Sequence, residues 1–600
     1  MCGIAGYLNF KNSHPSDHIQ ALIGRMNAAI AHRGPDDRGQ WADPENRCHL
    51  GHTRLSILDL SSAGHQPMLT PDQRYVISFN GEIYNFRDLR TRMEKDGVVF
   101  RTGTDTEVLL TGFAMVGTKL FDLLDGMFAV AIYDRKTRTL TLARDRAGEK
   151  PLYYAATDRL FAFASELRPL LEIPDLSLSL SEEALAQYFT LRYVPEPNAI
   201  LDPVRKLEPG MILQVSADGR QSFRRYFGFD IDQDNEAPEG DSDRYVDVVE
   251  KALTVSLHNR LNSDVPLGMF LSSGVDSALA CALLTRKLGQ KVKTFTVGFE
   301  GDPNSEHEAA RDIAARLGTE HHEHIFTAAD FDRICDRIGG LLDEPNGDRS
   351  CVPTYLLSEF TRQHVTVAIS GDGGDELFGG YGRYPALAPA LDGATGMKPS
   401  VMVQAYFEKG LPVMPADAVR NAFPQGYAAV VSVCEKYAPF FMHPGRPALH
   451  ALRQLDFHTY LPGAVLAKVD RMSMRHGLET RTPFLFASLL AVAAKASLGL
   501  CTDGRVQKVA LRRLLSQYLP EQHVQAPKKG FGMPPSVFFN NQPRIEAELK
   551  AAYRRLADTR FFSARPGALD RLFAGATANI NAIWATVVLA RWVDSVERPL

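Results

Sequence analysis

The sequence predicts a two-part molecule in which stacked antiparallel sheets are followed by a parallel α/β sheet with a helical extension. The chain has 600 residues, more than the ~250–300 residues that a single core usually fills. Strand-like runs in the first third follow one another without regular helices between them, whereas strands and helices alternate further along. Hydrophobic residues make up 45% and charged residues 23%, which is enough apolar material for large cores.

The β-rich part extends over 1–215. The runs "YVISFNGEIYN", "MFAVAIYD" and "LTLARD" are short and rich in β-branched and aromatic residues. One stretch, "SDHIQALIGRMNAAIAHRG", has a helical period and ends at the turn "RGPDD". The acidic stretch "DIDQDNEAPEGDSD" has little to bury, so we expect a polar linker over 216–244.

The second part, 245–600, alternates between strands and helices. "PLGMFLSSGVDSALACALLTRKLG" reads as strand, Gly/Ser turn and helix, and "KVKTFTVGFE" reads as a further strand. A helix, "EAARDIAARLGTE", and a strand with a glycine-rich turn, "VTVAISGDGGDELFGGY", follow. This alternation predicts a parallel sheet, and the chain after about Tyr384 is expected to be mostly helical.

Charge and cysteine content exclude several classes of protein. The net charge of −4 gives no electrostatic case for binding nucleic acid or an anionic membrane. The seven cysteines are scattered without a CxxC pair, which argues against a disulfide framework and a zinc site of the usual spacing. We expect a cytoplasmic protein, since the N-terminus lacks the pattern of a signal peptide and the most apolar stretch, "FLFASLLAVAAKASLGL", is interrupted by Lys495.

The turn "SSGVDS" over 272–277 is a candidate anion site. A strand-to-helix turn presents backbone N–H groups and a helix N-terminus, and the serine hydroxyls add donors. Asp276 alone would repel a phosphate, so a Mg²⁺ ion between its carboxylate and the phosphate oxygens is the natural companion. A plain helix N-cap without a ligand is the alternative, and the motif alone does not decide between them.

Two further segments carry candidate chemistry. In "SGDGGDE", Asp372, Asp375 and Glu376 follow a strand at its C-terminal end, where open α/β sheets bind their ligands. Three carboxylates among glycines favour a metal or another cation, and a solvated acidic turn is the alternative. In "APKKGFGMP", Lys528 and Lys529 could neutralise a phosphate or a charged intermediate, although surface lysines are common.

The β-rich part contains unusually polar motifs, "AHRGPDD", "GHTRLSI", "FNGEIYN" and "RTGTDTEVLL". Arg54 could pair with a carboxylate in bidentate fashion, and Glu82 and Asp105 could hold an ammonium group. The Asn80 side chain and the Gly81 N–H could form an oxyanion hole. Turns and buried ion pairs are the alternative. Cys2, next to the initiator methionine, is either an incidental buried residue or a reactive one.

The chain resembles glutamine-hydrolysing asparagine synthetases and their amidotransferase relatives, and its motifs follow one another in the order of that family. "MCGIAG", "HRGPDD", "RLSILDL", "NGEIYN", "TGTDTEVLL" and "ARDRAGEKPLYY" match the class II glutaminase domain. "SDVPLGMFLSSGVDS", "LDEPNGD", "AISGDGGDELFGGY", "YLPGAVLAKVDRMSMRHGLETRTPFL" and "PKKGFGMP" match the ATP-pyrophosphatase-type synthetase domain. The resemblance implies a four-layer α+β sandwich of the N-terminal nucleophile hydrolase type, followed by the α/β synthetase.

For the first domain, the resemblance implies that removal of Met1 exposes Cys2 as the nucleophile. The α-amino group of Cys2 would be the base, since its ordinary pKa of about 7.7–8.0 suits proton transfer near neutrality. The oxyanion would lie on Asn80 and Gly81. Glutamine recognition would fall to Arg54, Asn80, Gly81, Glu82 and Asp105.

For the second domain, the resemblance implies adenylation of aspartate by ATP and its amidation by ammonia channelled from the first domain, with AMP and pyrophosphate as products. Asp372 and Lys528 would be catalytic, and Asp276 and Asp375 would hold Mg²⁺. The implied ATP-binding residues are Leu271, Ser272, Ser273, Gly274, Asp276, Ser277, Val297, Ser370 and Gly371. Homodimers occur in the family.

Four positions depart from the family pattern: Ser273, Ser305, His307 and Phe486. Ser305, His307 and Phe486 lie in the half that meets the acceptor, so another carboxylate, such as a sugar uronate or a natural-product acid, is the alternative to aspartate. Relatives that close β-lactam rings lack the cysteine. A non-catalytic relative would have lost its chemical residues, and a pure glutaminase would not need the ATP-type turns.

Overall fold

The computed structural model describes residues 1–10, 14–231, 242–302, 305–394, 396–443, 445–527, 542–565, 567–577 and 579–596. Lys528 and Lys529 lie outside this range.

Nineteen strands are present in the described chain. Those of the first domain are β1 Cys2–Asn9, β2 Asp37–Ala42, β3 Cys48–Arg54, β4 Met68–Leu69, β5 Tyr75–Ile83, β6 Gly126–Asp134, β7 Thr139–Arg144, β8 Tyr153–Ala156, β9 Leu160–Ala164, β10 Ser179–Leu180, β11 Leu201–Asp202, β12 Arg205–Lys206, β13 Met211–Val215 and β14 Gln221–Arg225. Those of the second are β15 Leu267–Phe270, β16 Lys293–Phe299, β17 Glu320–Phe326, β18 Val367–Ile369 and β19 Glu479–Arg481.

Two six-stranded antiparallel sheets face each other in the first domain. Their orders are β12-β8-β9-β1-β3-β2 and β14-β13-β7-β6-β5-β4. The period of two along β1 divides its side chains between two cores: Ile4 and Leu8 pack in the cluster between the sheets, whereas Ala5 and Tyr7 pack in a cluster that includes the helix Ser16–Ala29. Helices also cover the outer face of the second sheet. The predicted four-layer arrangement of antiparallel sheets is therefore confirmed.

The helices of the first domain are Ser16–Ala29, Phe86–Lys95, Asp105–Val116, Arg168–Leu171 and Glu182–Leu191. Strand β14 continues the second sheet within the segment that the sequence analysis treats as linker, because its residues pair with β13. The boundaries of the two domains and of the linker stay predictions.

The second domain contains a five-stranded sheet in the order β17-β16-β15-β18-β19. Every pairing in it is parallel, as predicted. The carboxyl ends of β15 and β18 therefore lie at one edge, where the two glycine-rich turns follow them. The amino ends of β15, β18 and β19 lie at the opposite edge, and residues there pack against the first domain in a cluster that includes Met1 and Val367.

The predicted helical extension is present. The helices of the second domain are Ser242–Arg260, Val275–Ala282, His307–Leu317, Ala328–Cys335, Ile338–Leu341, Cys351–Arg362, Gly374–Phe378, Arg383–Asp392, Pro399–Gly410, Ala416–Ala422, Tyr427–Tyr437, Ala448–His458, Ala467–Met474, Ala487–Ala493, Leu498–Cys501, Val509–Leu515, Glu521–Val524, Gln542–Ala557, Arg560–Ser563, Ala568–Ala576 and Ile580–Ser595. Among the described helices, none combines the length and the apolar character that crossing a membrane requires.

Candidate active sites

Cys2 begins a central strand of the first sheet and is held by two side chains of the first domain. In the register of β1 and β3 it lies opposite Arg54. Its N–H donates to Oδ1 of Asn80 on the facing sheet at 2.9 Å, and its carbonyl accepts a hydrogen bond from Nε of Arg33 at 3.1 Å. The backbone around the thiol is therefore held by side chains from two directions.

The Cys2 thiol is protonated in its resting environment. Burial raises its pKa, and the ammonium group of Met1, the backbone N–H of Leu55 and Arg54 offset part of that rise. A protonated thiol is a weak nucleophile and needs a base close by. The contribution of Leu55 could not be predicted from its side-chain type, because it comes from a backbone N–H.

Asn80 has the arrangement that an oxyanion hole requires. Its Oδ1 accepts from Cys2, which orients the amide, while its Nδ2 is buried and has no hydrogen-bond partner among the described residues. A buried donor without an acceptor is costly, and an oxyanion would supply the acceptor. A Cβ atom at Gly81 would lie 2.1 Å from the carbonyl oxygen of Met127, so only glycine fits there.

Cys2, Arg54, Gly81, Glu82 and Asp105 line one small cavity, as the resemblance implies. The guanidinium of Arg54 donates to the backbone carbonyls of Ser61 at 2.8 Å and Asp59 at 2.5 Å. Met1 also lines this cavity, whose volume is about 30 Å³. The cavity is small because Met1 fills part of the space beside Cys2.

Two carboxyl groups in this cavity have raised pKa values and are therefore not fully ionised near neutral pH. Burial raises the pKa of Asp105 to about 6, although the Ile83 N–H that it accepts at 2.9 Å opposes the rise. Burial, followed by the charges of Glu479 and Asp105, raises the pKa of Glu82 well above its usual range. An arriving ammonium group would favour the ionised forms of both, so the cavity suits the α-ammonium end of an amino acid.

The raised pKa of Asp105 predicts a pH dependence for the glutamine binding that the family resemblance implies. Below pH 6 the free carboxyl group is protonated and cannot pair with an ammonium ion, so we expect KM for glutamine to rise by up to about tenfold per pH unit on descent below pH 6. Initial rates of glutamate release between pH 5 and 8 check this, with Asp105→Asn as the comparison. A KM that stays flat in the parent protein down to pH 5 would contradict the assignment.

In the second domain, the turn after β15 is held together by its serines. The backbone N–H of Ser272 donates to Oγ of Ser277 at 3.1 Å, and the N–H of Gly274 donates to Oγ of Ser272 at 3.1 Å. The helix Val275–Ala282 starts immediately afterwards. The N-terminus of this helix therefore points to the same edge of the sheet as the carboxyl end of β15.

The second glycine-rich turn packs directly on the first. A Cβ atom at Gly374 would lie 2.5 Å from Oδ1 of Asp276, and one at Gly371 would lie 3.1 Å from the backbone nitrogen of Ser277. Gly373 has a φ of 92°, a conformation that favours glycine. The close packing explains why this turn is rich in glycine.

These two turns line one cavity of about 230 Å³. It brings together most of the predicted ATP-site residues, whereas Ser273 is buried but does not line it. The predicted residues that line the cavity are Leu271, Ser272, Gly274, Asp276, Ser277, Val297, Ser370, Gly371, Asp372 and Asp375. Glu376 also lines it, and burial raises the pKa of Glu376 to about 8.

Lys508 is a candidate residue that the sequence analysis missed. Its Nζ contacts the carboxylate of Asp276 and lies 2.5 Å from Oδ1 of Asp375. Lys508 has a φ of 59°, in the left-handed region, and it precedes the helix Val509–Leu515. A lysine just before a helix is a weak sequence signal. Only the folded chain brings Lys508 between the two acidic turns.

Lys468 is a second missed residue. It lines the same cavity, and its Nζ donates to Oγ of Ser350 at 2.9 Å. Burial disfavours its charge, yet the carboxylates of Asp348 and Asp372 raise the pKa of Lys468 above its usual value. The cavity thus has a permanent cation on the helix Ala467–Met474. Lys468 stands in the motif "LAKVDRMSM", where charged residues interrupt an otherwise apolar helix, and that interruption was the available signal.

A buried ion-pair network joins the two sites. Arg33 donates to both carboxylate oxygens of Asp470, at 2.8 and 3.0 Å, and to Glu166 at 2.9 Å. Arg33 also holds the carbonyl of Cys2, and Asp470 is on the same helix as Lys468. Arg33 therefore connects the backbone of Cys2 to the helix that carries Lys468.

The unusual residues have different surroundings. Ser305 lines the synthetase cavity and its Oγ lies 2.7 Å from Nδ1 of His307. Phe486 does not line that cavity; it is buried, and the guanidinium of Arg260 lies 5.7 Å from its ring centroid. Of the two, only Ser305 is in a position to touch a ligand.

Two family models match the chain, one for each domain. The model described as glutamine amidotransferase domain matches residues 1–227, and the model described as asparagine synthase matches residues 248–594. With the two cavities, these matches define the class of the protein: a glutamine amidotransferase fused to an amide-forming synthetase. The chain belongs to the asparagine synthase family, and it is an enzyme.

Curated relatives match over most of their length. Asparagine synthetase (glutamine-hydrolyzing) 1 of Bacillus subtilis (strain 168) is 33% identical over 567 residues, covering 90% of this chain and 88% of the relative. A putative asparagine synthetase (glutamine-hydrolyzing) of Mycobacterium bovis is 32% identical over 644 residues, covering 99% and 97%. Asparagine synthetase B (glutamine-hydrolyzing) of Escherichia coli (strain K12) is 28% identical over 557 residues, covering 88% and 82%.

Proposed function

We propose that the protein is a glutamine-dependent asparagine synthetase, which forms asparagine, AMP and pyrophosphate from aspartate, ATP and glutamine. The observation that carries the proposal is the presence of two separate cavities in one chain, one at Cys2 and one at the paired glycine-rich turns. The names of the relatives favour aspartate as acceptor over another carboxylate.

In the first domain, the thiol of Cys2 attacks the amide carbon of glutamine. The thiol proton passes to the α-amino group of Cys2 and then to the leaving nitrogen, so that neutral ammonia departs and a thioester remains. The free Nδ2 of Asn80 and the N–H of Gly81 stabilise the oxyanion. Water then releases glutamate, and Arg54, Glu82 and Asp105 hold the two ends of the amino acid.

In the second domain, a carboxylate oxygen of aspartate attacks the α-phosphorus of ATP and pyrophosphate leaves. The Ser272–Ser277 turn supplies backbone donors for the phosphates, and Lys508 supplies positive charge beside them. Ammonia then attacks the acyl carbon of the adenylate and AMP leaves. A dry path between the sites keeps ammonia from being lost to water.

Asp276 and Asp375 would hold Mg²⁺ at this site. Lys508 contacts both carboxylates, so the two are close enough to share one cation. Mg²⁺ in such sites takes one or two carboxylates and completes its shell with water and substrate phosphates. A Mg²⁺ ion bound in this way needs only two protein carboxylates. That requirement agrees with the described residues, among which no three His, Cys, Asp or Glu side chains form a ligand set. When bound, the ion would neutralise charge on the pyrophosphate leaving group.

The remaining parts of the proposal concern organisation. We assign 1–215 to the glutaminase, 216–244 to the linker and 245–600 to the synthetase. A cytoplasmic location is supported by the seven cysteines, all of which lie among the described residues, are buried and form no disulfide. A homodimer follows the family resemblance, and sedimentation of the purified protein tests it.

The experiment that tests the function is an assay of pyrophosphate release with ATP, Mg²⁺ and glutamine, with and without aspartate. We expect aspartate-dependent pyrophosphate together with an equal amount of asparagine. Glutamine hydrolysis without any response to aspartate would transfer the acceptor role to another carboxylic acid, and Ser305 would be the first position to examine.

The N-terminal residue of the purified protein is a separate prediction. Mass spectrometry should show the chain without Met1, because the mechanism needs the α-amino group of Cys2 and the cavity needs the space that Met1 occupies. An active enzyme that retains Met1 would refute the α-amine as the base.

A further inference from the structure

The space between the glutamine cavity and the synthetase sheet is filled by Met1. Met1 is 1% exposed, and its side chain packs in an apolar cluster at the boundary of the two domains. The cluster consists of Met1, Leu55, Ile57, Tyr84 and Met127 from the first domain and Val367 and Met474 from the second. The initiator residue therefore lies between Cys2 and the second domain.

The α-ammonium group of Met1 is bound by one carboxylate of the second domain. Its nitrogen lies 2.5 Å from Oε2 of Glu479, and both side chains are fully buried. The other oxygen of Glu479, Oε1, accepts from Nε of Arg481 at 2.7 Å. Burial acts to raise the pKa of Glu479, but the Met1 ammonium group and Arg481 lower it to about 2, so the carboxylate is ionised while Met1 is in place.

We propose that Glu479 is a binding site for ammonia on its way from Cys2 to the second domain, in the space that Met1 fills before its removal. The inference rests on the proposed function. Ammonia, like the α-ammonium group, is a nitrogen with three N–H donors. Since Arg481 engages Oε1, Oε2 is the oxygen left for such a nitrogen once Met1 is gone.

The surroundings favour passage of neutral ammonia. The walls of the space are mostly the apolar side chains of the Met1 cluster, and the hydroxyl group of Tyr84 is the polar exception among them. Arg481 neutralises the charge of Glu479, so no ammonium ion has to stay bound at the site. The backbone N–H of Leu55, which donates to the Met1 carbonyl at 3.1 Å, becomes available to the nitrogen lone pair when Met1 is removed.

The position of Glu479 in the sheet fits a transfer of ammonia towards the synthetase cavity. Glu479 pairs with Val367 at the amino end of β18, and Ser370, which lines the cavity, follows that strand directly. Three residues of strand span about 10 Å. Glu479 thus lies one short strand away from the place where ammonia is used.

The test is the coupling ratio, the amount of asparagine formed per glutamate released from glutamine. We expect Glu479→Gln to lower this ratio by up to about tenfold, the effect of weakening a hydrogen bond to a charged group, while synthesis from saturating ammonium salts persists. Glu196→Gln is the matched control, because Glu196 is also a buried carboxylate paired with an arginine, Arg144 at 3.2 Å, but it is not part of the Met1 cluster or of either active site. Its ratio should equal that of the parent.

The outcomes separate the inference from the proposed function. A parent protein that makes no asparagine from glutamine would refute the proposed function, whatever Glu479 does. A coupled parent and an equally coupled Glu479→Gln variant would refute the ammonia site alone. If Glu479→Gln does not fold, Glu479→Asp keeps the charge facing Arg481 and withdraws the oxygen by one methylene. A folded aspartate variant with an undiminished ratio would then overturn the inference.

Discussion

Replacement of Cys2 by alanine should abolish glutamine-dependent asparagine synthesis and leave ammonia-dependent synthesis intact. The expected loss of glutaminase activity is on the order of 10³-fold or more, because removal of a covalent nucleophile leaves only the binding and oxyanion contributions. The second domain has its own cavity, so its chemistry should continue when ammonia is supplied from solution. Glutamate and asparagine are measured in parallel.

Cys48 provides the matched control for this experiment. It is a buried cysteine of the same sheet, on β3, and its thiol lies in the apolar cluster between the sheets. Cys48→Ala should therefore keep both activities and cost only packing energy. Loss of ammonia-dependent synthesis in a folded Cys2→Ala protein would contradict the two-site arrangement.

Replacement of Lys508 by methionine should suppress aspartate-dependent pyrophosphate release by about 10²–10³-fold, the usual effect of removing one electrostatic stabiliser from an active site. Methionine keeps much of the side-chain bulk and removes the charge. The carboxylates of Asp276 and Asp375 would then face each other without the cation that now contacts both. Glutamine hydrolysis without ATP should stay near the parent rate.

Two further lysine variants sharpen the result. Lys409→Met changes an exposed lysine and should have no effect on either reaction. Lys528→Ala tests the residue to which the family resemblance assigns the adenylation role and which lies outside the described structure. Pyrophosphate release that survives Lys508→Met but is lost in Lys528→Ala would return the role to Lys528.

Local pattern was sufficient to predict the fold class and the two glycine-rich turns. The turn at Ser272–Ser277 follows a strand and opens a helix, and each of these features has a signal within a few residues. The same holds for the strand before Ser370. Once both strands belong to one parallel sheet, their turns must meet at one edge, so the juxtaposition of Asp276 with Asp375 follows from topology.

The residues that were missed depend on distant contacts. Lys508 is 232 positions from Asp276, and nothing near it in the sequence indicates an acidic partner. The pairing of Arg33 with Asp470 spans 437 positions and crosses the domain boundary. Buried charge pairs of this kind are specified by three-dimensional packing, whereas sequence periodicity reports only which face of an element is apolar.

The contact between the first residue and Glu479 has a consequence for how the enzyme is made. At about 5–20 residues per second, Glu479 leaves the ribosome roughly 25–100 s after Cys2. During that interval Glu479, which binds the Met1 ammonium group, has not yet been made, whereas in the finished protein Met1 is 1% exposed. Removal of Met1 must therefore precede the packing of the two domains against each other. Chains that fold first would keep Met1 and would be synthetases that accept only free ammonia.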